Sequence, residues 1–121
     1  MKEYVYKYRI ALSDTDAGGI VYHSNYISIA ERARMEMLRE AGIEGKILDA
    51  EEVSIEYMRP GLFDDEVCVH STISDAGEGR CIILQTIERG DDTLARLSVH
   101  AVLRTFPGLS AEYIPEELTM A

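Results

Sequence analysis

Tryptophan, paired cysteines and long apolar segments are absent from this sequence of 121 residues. It contains no Trp, two Cys and three Pro. No apolar run approaches the roughly 18 residues that a membrane-spanning helix needs, so no membrane span is predicted and we expect a cytoplasmic protein. Cys68 and Cys81 have neither CxxC nor Cys/His ligand spacing. We therefore predict that both are structural thiols and that the chain has no metal site.

Basic residues are also fewer than acidic ones. The chain has 12 Lys and Arg against 22 Asp and Glu, which gives a formal net charge of −10. The imbalance lies in residues 49–121, with five basic and fifteen acidic residues, whereas residues 1–48 hold seven of each. Nucleic-acid binding needs clustered Lys and Arg that neutralise phosphates, so no nucleic-acid partner is expected. A few local arginines can still hold a small anionic ligand.

The sequence does contain extended alternation of apolar and polar residues, which is typical of half-buried strands. Its length and lack of repeats or linkers predict a single domain over residues 1–121. Five runs alternate in this way: 4–12, 51–58, 66–74, 80–89 and 93–104. Segments rich in Gly and Asp separate the last three runs and favour tight turns. These three runs are therefore predicted to form an antiparallel meander.

Residues 26–41 follow a helical period instead. At 100° per residue the following residues share one apolar sector: Ala33, Tyr26, Met37, Ala30, Ala41, Ile27 and Leu38. Ser24 or Asn25 is predicted to cap the start of this helix, and Gly42 is predicted to follow its end. One helix and five strands predict an α+β fold in which a curved sheet surrounds the helix. The free edges of such a sheet favour pairing with a second copy.

Arg34 falls inside the apolar sector of this helix, where a guanidinium group needs a partner. Glu31 lies three residues earlier, within helical reach. We expect either a buried ion pair between these two residues or a contact of Arg34 with a subunit or a ligand.

The segment between the first strand and the helix carries the candidate chemistry. It contains Asp14, Asp16, two glycines and His23 just before the predicted helix. A helix N-terminus offers unpaired N–H groups that can hold an oxyanion, and a carboxylate beside it can activate water or attack a carbonyl. Asp and Gly are also ordinary turn formers at such a place. From these residues alone, the catalytic and the structural interpretation both remain open.

Residues 14–26 and the following Glu31-Arg32-Ala33-Arg34 resemble the signature of the hotdog-fold acyl-CoA thioesterases of the 4-hydroxybenzoyl-CoA thioesterase/YbgC type. Ile55-Glu56-Tyr57-Met58-Arg59-Pro60 and Asp64-Asp65-Glu66-Val67 resemble the second strand of this family and the turn after it. The similarity covers roughly residues 4–105. It implies a hotdog fold, in which a curved five-stranded antiparallel sheet wraps one long central helix and dimerises edge to edge.

The resemblance also implies roles for single residues. Asp16 matches the catalytic aspartate, as general base or nucleophile, and Asp14 is then a turn or capping residue. The amide that polarises the thioester carbonyl corresponds to His23, whose side chain either assists catalysis or lines the pocket. The remaining predicted substrate-binding residues are Gly19, Tyr22, Asn25 and Arg59, with Arg59 at the phosphates of coenzyme A. The acyl pocket is predicted to be lined by Tyr57, Met58 and Tyr22.

The resemblance therefore implies hydrolysis of an acyl-CoA thioester by a homodimer or homotetramer, without a metal or bound cofactor. Two alternatives remain open on the sequence. The chain could be a non-catalytic acyl-ligand binding protein of the same fold, or a dehydratase acting on acyl thioesters that pairs His23 with Glu31. The acyl group, aromatic or short aliphatic, and its carrier, coenzyme A or acyl carrier protein, also remain open.

Overall fold

A curved sheet packed against one long helix makes up most of the computed structural model, which describes residues 2–120. The strands are β1 (Glu3–Arg9), β2 (Lys46–Tyr57), β3 (Glu66–Ala76), β4 (Arg80–Arg89) and β5 (Asp92–Thr105), in the antiparallel order β1-β3-β4-β5-β2. Helix α1 (His23–Glu40) lies between β1 and β2 in the chain, and α2 (Glu116–Thr119) follows β5. The first and last residues of the predicted 1–121 domain lie outside the described residues.

The predicted alternation directs one face of the sheet onto α1. The residues of β3 and β5 on this face are buried: Val67, Val69, Ser71, Ile73, Leu97, Val99, Ala101 and Leu103. The meander of β3, β4 and β5 is confirmed. Strand β2 starts five residues before the predicted run. The prediction missed these residues because the register of β2 with β5 shifts between Ala50 and Glu52. Such a bulge interrupts the period of two by which a strand is recognised.

Helix α1 begins three residues earlier than its apolar pattern predicts. Its N-cap is Tyr22, so the prediction that Ser24 or Asn25 caps the helix is wrong. The end agrees with the sequence, because Gly42 follows the helix with φ +75°, a conformation that favours glycine.

The buried face of α1 is close to the predicted sector. It consists of Tyr26, Ile29, Ala30, Ala33, Arg34, Met37 and Leu38. Ile27 is 39% exposed and its predicted burial is wrong, whereas Ile29 is buried in its place. Ile29 lies just outside one margin of the predicted sector. Leu38, on the same side of the helix as Ile27, is buried, so the exposure of Ile27 is local to the start of α1.

Arg34 is buried without a carboxylate partner among residues 2–120, so the expected ion pair with Glu31 is wrong. One guanidinium nitrogen of Arg34 donates to Oε1 of Gln85 on β4 at 3.0 Å. The Gln85 amide in turn donates to the Ala30 carbonyl and to the Ser71 hydroxyl, each at 3.0 Å. The helix and the middle of the sheet are thus joined by a buried polar cluster.

The two ends of the strand order remain open. Strand β1 pairs with β3 and strand β2 pairs with β5, so each has one edge without a partner strand among residues 2–120. Among residues 2–120, no helix combines the length and apolar character required to cross a membrane.

Candidate active site

Asp16 closes the loop that leads from β1 to α1. Its carboxylate oxygen Oδ1 accepts hydrogen bonds from the backbone N–H of Gly18 at 2.8 Å and of Ile20 at 3.1 Å. Gly19 donates its N–H to the Asp16 carbonyl and has φ +78°, a region that favours glycine. The loop therefore holds Oδ1, while Oδ2 makes no hydrogen bond among the described residues and is free for chemistry.

Asp14, two residues earlier, is held through one carboxylate oxygen and through its carbonyl. Its Oδ2 accepts hydrogen bonds from the Tyr8 hydroxyl and from the Ala11 N–H, each at 2.7 Å. Its carbonyl accepts from the N–H of Tyr22 at 3.0 Å and from the Asn25 side chain at 2.9 Å. Burial, followed by the hydrogen bond to Asp14, raises the pKa of Tyr8 above its ordinary value. These partners agree with a structural role for Asp14.

The start of α1 leaves backbone donors free. Within residues 2–120, the N–H groups of His23 and Ser24 have no hydrogen-bond acceptor, and the Tyr22 side chain does not cap the helix. No acidic residue lies in the first turn. The partial positive charge of a helix N-terminus therefore faces the surroundings without neutralisation.

A pocket of about 230 Å³ opens beside this helix start. Its lining residues are Ile20, Val21, His23, Tyr26, Tyr57, Met58, Arg59 and Pro60. The Tyr26 hydroxyl accepts a hydrogen bond from the Gly61 N–H at 2.7 Å. The wall of the pocket is thus mainly apolar and aromatic, and it includes His23, the first residue of α1.

The predicted site residues divide into three groups. His23, Arg59, Tyr57 and Met58 line the pocket. Asp16 is not among the lining residues but is hydrogen-bonded to Ile20, which is. Gly19, Tyr22 and Asn25 lie in the loop or at the helix start, outside the lining. Tyr22 is 51% exposed and is not among the residues that line this pocket.

Two arginines lie close to the pocket and differ in the number of hydrogen bonds that their side chains make. Arg89 donates to Asp65 at 2.7 Å and to the Pro60 carbonyl at 3.2 Å. The hydrogen bond with Asp65 raises the pKa of Arg89 above its ordinary value. Arg59 has a single carboxylate neighbour within the described residues, Asp92 at 3.8 Å, and its side chain is largely exposed. Arg59 is therefore the more available cation.

Comparison with known protein families agrees with this architecture. The model of the family described as the thioesterase superfamily matches residues 18–96. The chain belongs to the thioesterase superfamily. An Escherichia coli protein named acyl-CoA thioester hydrolase YbgC is 36% identical over 93 residues, which cover 71% of this thioesterase and 69% of the relative.

Other relatives extend the match over most of the length of the thioesterase. The acyl-CoA thioesterase YbgC of Haemophilus influenzae is 27% identical over 121 residues, covering 93% of this chain and 89% of the relative. A solved 1,4-dihydroxy-2-naphthoyl-CoA thioesterase from Synechocystis superposes with a TM-score of 0.80 at 22% identity, covering 96% and 92% of the two chains. The α+β hotdog fold and the thioesterase family predicted from the sequence are confirmed.

The family match begins after the loop aspartates. Residues 18–96 include the pocket and α1 but neither Asp14 nor Asp16. The roles of single residues in this thioesterase therefore depend on the resemblance of the loop and on its geometry, and they stay predictions.

Proposed function

We propose that this thioesterase hydrolyses acyl-CoA thioesters to a free acid and coenzyme A, with Asp16 and the start of α1 as its catalytic groups. The observation that carries the proposal is the proximity in the chain of two features. Among residues 2–120, Asp16 has one carboxylate oxygen without a hydrogen bond, and the loop that holds Asp16 leads into the helix start where the N–H groups of His23 and Ser24 lack acceptors. The names of the Escherichia coli and Haemophilus influenzae relatives, both acyl-CoA thioester hydrolases, support the substrate class.

Asp16 acts through Oδ2. As a general base it takes a proton from water, whose oxygen attacks the thioester carbonyl. As a nucleophile it attacks that carbon itself, and water then hydrolyses the mixed anhydride. In either route the C–S bond breaks, the sulfur leaves with its electron pair as a thiolate, and a proton completes the thiol of coenzyme A.

The N–H groups of His23 and Ser24 bind the carbonyl oxygen as it becomes negative. Donors that are already oriented stabilise an oxyanion without reorganisation, and removing one such donor typically costs about 10²–10³-fold in kcat. The His23 side chain lines the same pocket and assists the reaction or orients the thioester.

Arg59 binds a phosphate of coenzyme A in this proposal. Its weak pairing with Asp92 and its position on the pocket lining support this role. Arg89 is excluded by its hydrogen bonds to Asp65 and Pro60. Gly19, Tyr22 and Asn25 contribute by shaping the loop, since their hydrogen bonds lie within it or at the helix start.

We propose that the enzyme is at least a homodimer, formed when the open edge of β2 pairs with the same edge of a second copy. An exposed edge with unpaired N–H and C=O groups is a ready site for this association. Sedimentation at micromolar concentration is expected to give a species of twice the 13.6 kDa chain or more, and a monomer would contradict the pairing.

The dehydratase alternative finds no support within one chain. His23 and Glu31 are eight residues apart on α1, which separates them by about 12 Å along the helix axis. A direct pair between these two side chains is therefore not formed.

The test is a panel of acyl-CoA thioesters, aromatic and aliphatic, in which release of free thiol is followed spectroscopically. The same acyl groups on acyl carrier protein form the matched panel for the carrier. We expect release from CoA thioesters that is lost in Asp16→Asn. Binding of an acyl-CoA without any release would contradict the proposal and identify a non-catalytic binding protein.

A further inference from the structure

Free amides at a helix start point in a useful direction only if something fixes the first turn. In α1 neither a capping side chain nor an acidic first-turn residue does so. The Asn25 side chain, which could fold back onto the turn, is bonded to the Asp14 carbonyl. The first turn is tied to the preceding loop through Asp14, whose carbonyl accepts from the Tyr22 N–H and the Asn25 side chain. The peptide unit between His23 and Ser24 has a further contact, from another element.

Tyr57, the last residue of β2, contacts the first residue of α1 in two ways. Its hydroxyl donates a hydrogen bond to the carbonyl oxygen of His23 at 3.0 Å. Its ring stacks on the His23 imidazole, with ring centroids 4.0 Å apart and an interplanar angle of 14°. One side chain from the sheet thus holds both the main chain and the side chain of His23.

Tyr57 is itself supported from behind. The ring of Tyr26 meets it edge to face, with centroids 5.6 Å apart at 67°. Tyr26 is only 2% exposed, and its hydroxyl is bonded to the Gly61 N–H. Because Tyr26 is fixed in the core, the Tyr57 ring has a rigid surface to pack against.

The hydrogen bond to the His23 carbonyl acts on the neighbouring amide as well. The carbonyl of His23 and the N–H of Ser24 belong to one planar peptide unit, so fixing the oxygen also fixes the direction of that N–H. A donor on the carbonyl side further polarises the unit and strengthens the N–H as a donor. Stacking meanwhile restricts the imidazole to an orientation parallel to the Tyr57 ring.

We infer that Tyr57 is a positioning residue, which orients the oxyanion-binding amide of Ser24 and the His23 ring for thioester hydrolysis. The inference rests on the proposed function and deepens it. It goes beyond a lining role, because a side chain that merely lines the acyl pocket affects substrate binding, whereas a positioning residue affects the turnover step.

Two substitutions separate the two contacts. Tyr57→Phe keeps the ring and removes the hydroxyl, so kcat is expected to fall about tenfold with little change in KM, the loss expected for one hydrogen bond. Tyr57→Leu removes both contacts, so kcat is expected to fall further than in Tyr57→Phe, since the His23 ring is released as well.

The matched control is Tyr113→Phe, which removes a hydroxyl from a side chain that is 75% exposed and has no hydrogen bond within the described residues. Its kcat and KM should equal those of the wild type. A Tyr57→Phe enzyme with wild-type kcat, or a Tyr57→Leu enzyme altered only in KM, would overturn the inference.

Backbone NMR provides a readout that does not depend on turnover. The Ser24 amide signal should shift and its order parameter should fall in Tyr57→Phe, but not in Tyr113→Phe. An unchanged Ser24 amide signal and order parameter in Tyr57→Phe contradict the positioning role even if the enzyme is active. A wild-type protein that releases no thiol contradicts the proposed function instead, so the two failures are distinguishable.

Discussion

Helix α1 carries two polar regions that differ in how far their polar atoms are hydrogen-bonded within the chain. At its start, the N–H groups of His23 and Ser24 lack acceptors and Asp16 keeps one free oxygen in the adjacent loop. Half-way along, Arg34 is 3% exposed and bonded to Gln85, which is bonded to Ala30 and Ser71. In that buried cluster Nε of Arg34 is a fully buried nitrogen without a hydrogen-bond partner among the described residues.

The difference follows from access to water. An unpaired polar atom in the core costs about 1–3 kcal/mol, whereas at an exposed helix end water satisfies it until a ligand arrives. Burial accordingly lowers the pKa of Arg34, opposed by the nearby charge of Glu31. The same helix can thus hold a structural polar cluster in its middle and reactive groups at its end.

The largest expected effect separates the two loop aspartates. Asp16→Asn keeps an oxygen to accept from Gly18 and Ile20, so the fold should persist, but kcat should fall about 10²–10⁴-fold as for loss of a positioned base. Asp14→Asn should change kcat far less, because Asp14 has only structural partners. Steady-state kinetics with circular dichroism checks this. Equal losses in two folded variants would show that Asp16 has no special role.

A smaller effect is expected in the buried cluster, and it should appear in stability. Arg34→Ala leaves Gln85 without its donor and opens a cavity, so the free energy of unfolding should fall by about 2–4 kcal/mol. Arg34→Met fills the space without a buried charge and should cost much less. Urea denaturation measures both, and kcat per folded molecule should stay within a few-fold of wild type. A large kcat loss in folded Arg34→Met would place Arg34 in the site.

The smallest expected effect concerns the His23 side chain. His23→Ala retains the backbone N–H, so activity should persist, with kcat lowered by roughly tenfold, the equivalent of one hydrogen bond. Steady-state kinetics measures this change, and a kcat equal to that of the wild type would restrict His23 to its main-chain role.

Local patterns predicted the sheet better than the start of the helix. The alternation in β3, β4 and β5 is a short-range signal and gave their positions closely. The cap was mispredicted because Ser24 and Asn25 are good capping types, while the Asp14 carbonyl, eleven residues away, takes the Asn25 side chain. A prediction of helix caps from neighbouring residues cannot include a contact between residues eleven positions apart.

The partner of Arg34 was missed for the same reason. Glu31 is its neighbour on the helix, but Gln85 lies 51 residues further along the chain and meets Arg34 only after the sheet has folded. The stacking of Tyr57 on His23 also joins distant segments. The loop motif, by contrast, is continuous in sequence, so the candidate chemistry could be recognised before its surroundings were known.

The hydrogen bonds that hold Asp16 make its two carboxylate oxygens inequivalent. Gly18 and Ile20 bind Oδ1, so the carboxylate cannot flip without breaking the loop. If turnover in ¹⁸O water passes through a mixed anhydride that water opens at the aspartyl carbon, the isotope enters the Oδ2 position and leaves with the next product. However many cycles pass, Asp16 then carries at most one heavy oxygen, whereas a freely rotating carboxylate would acquire two.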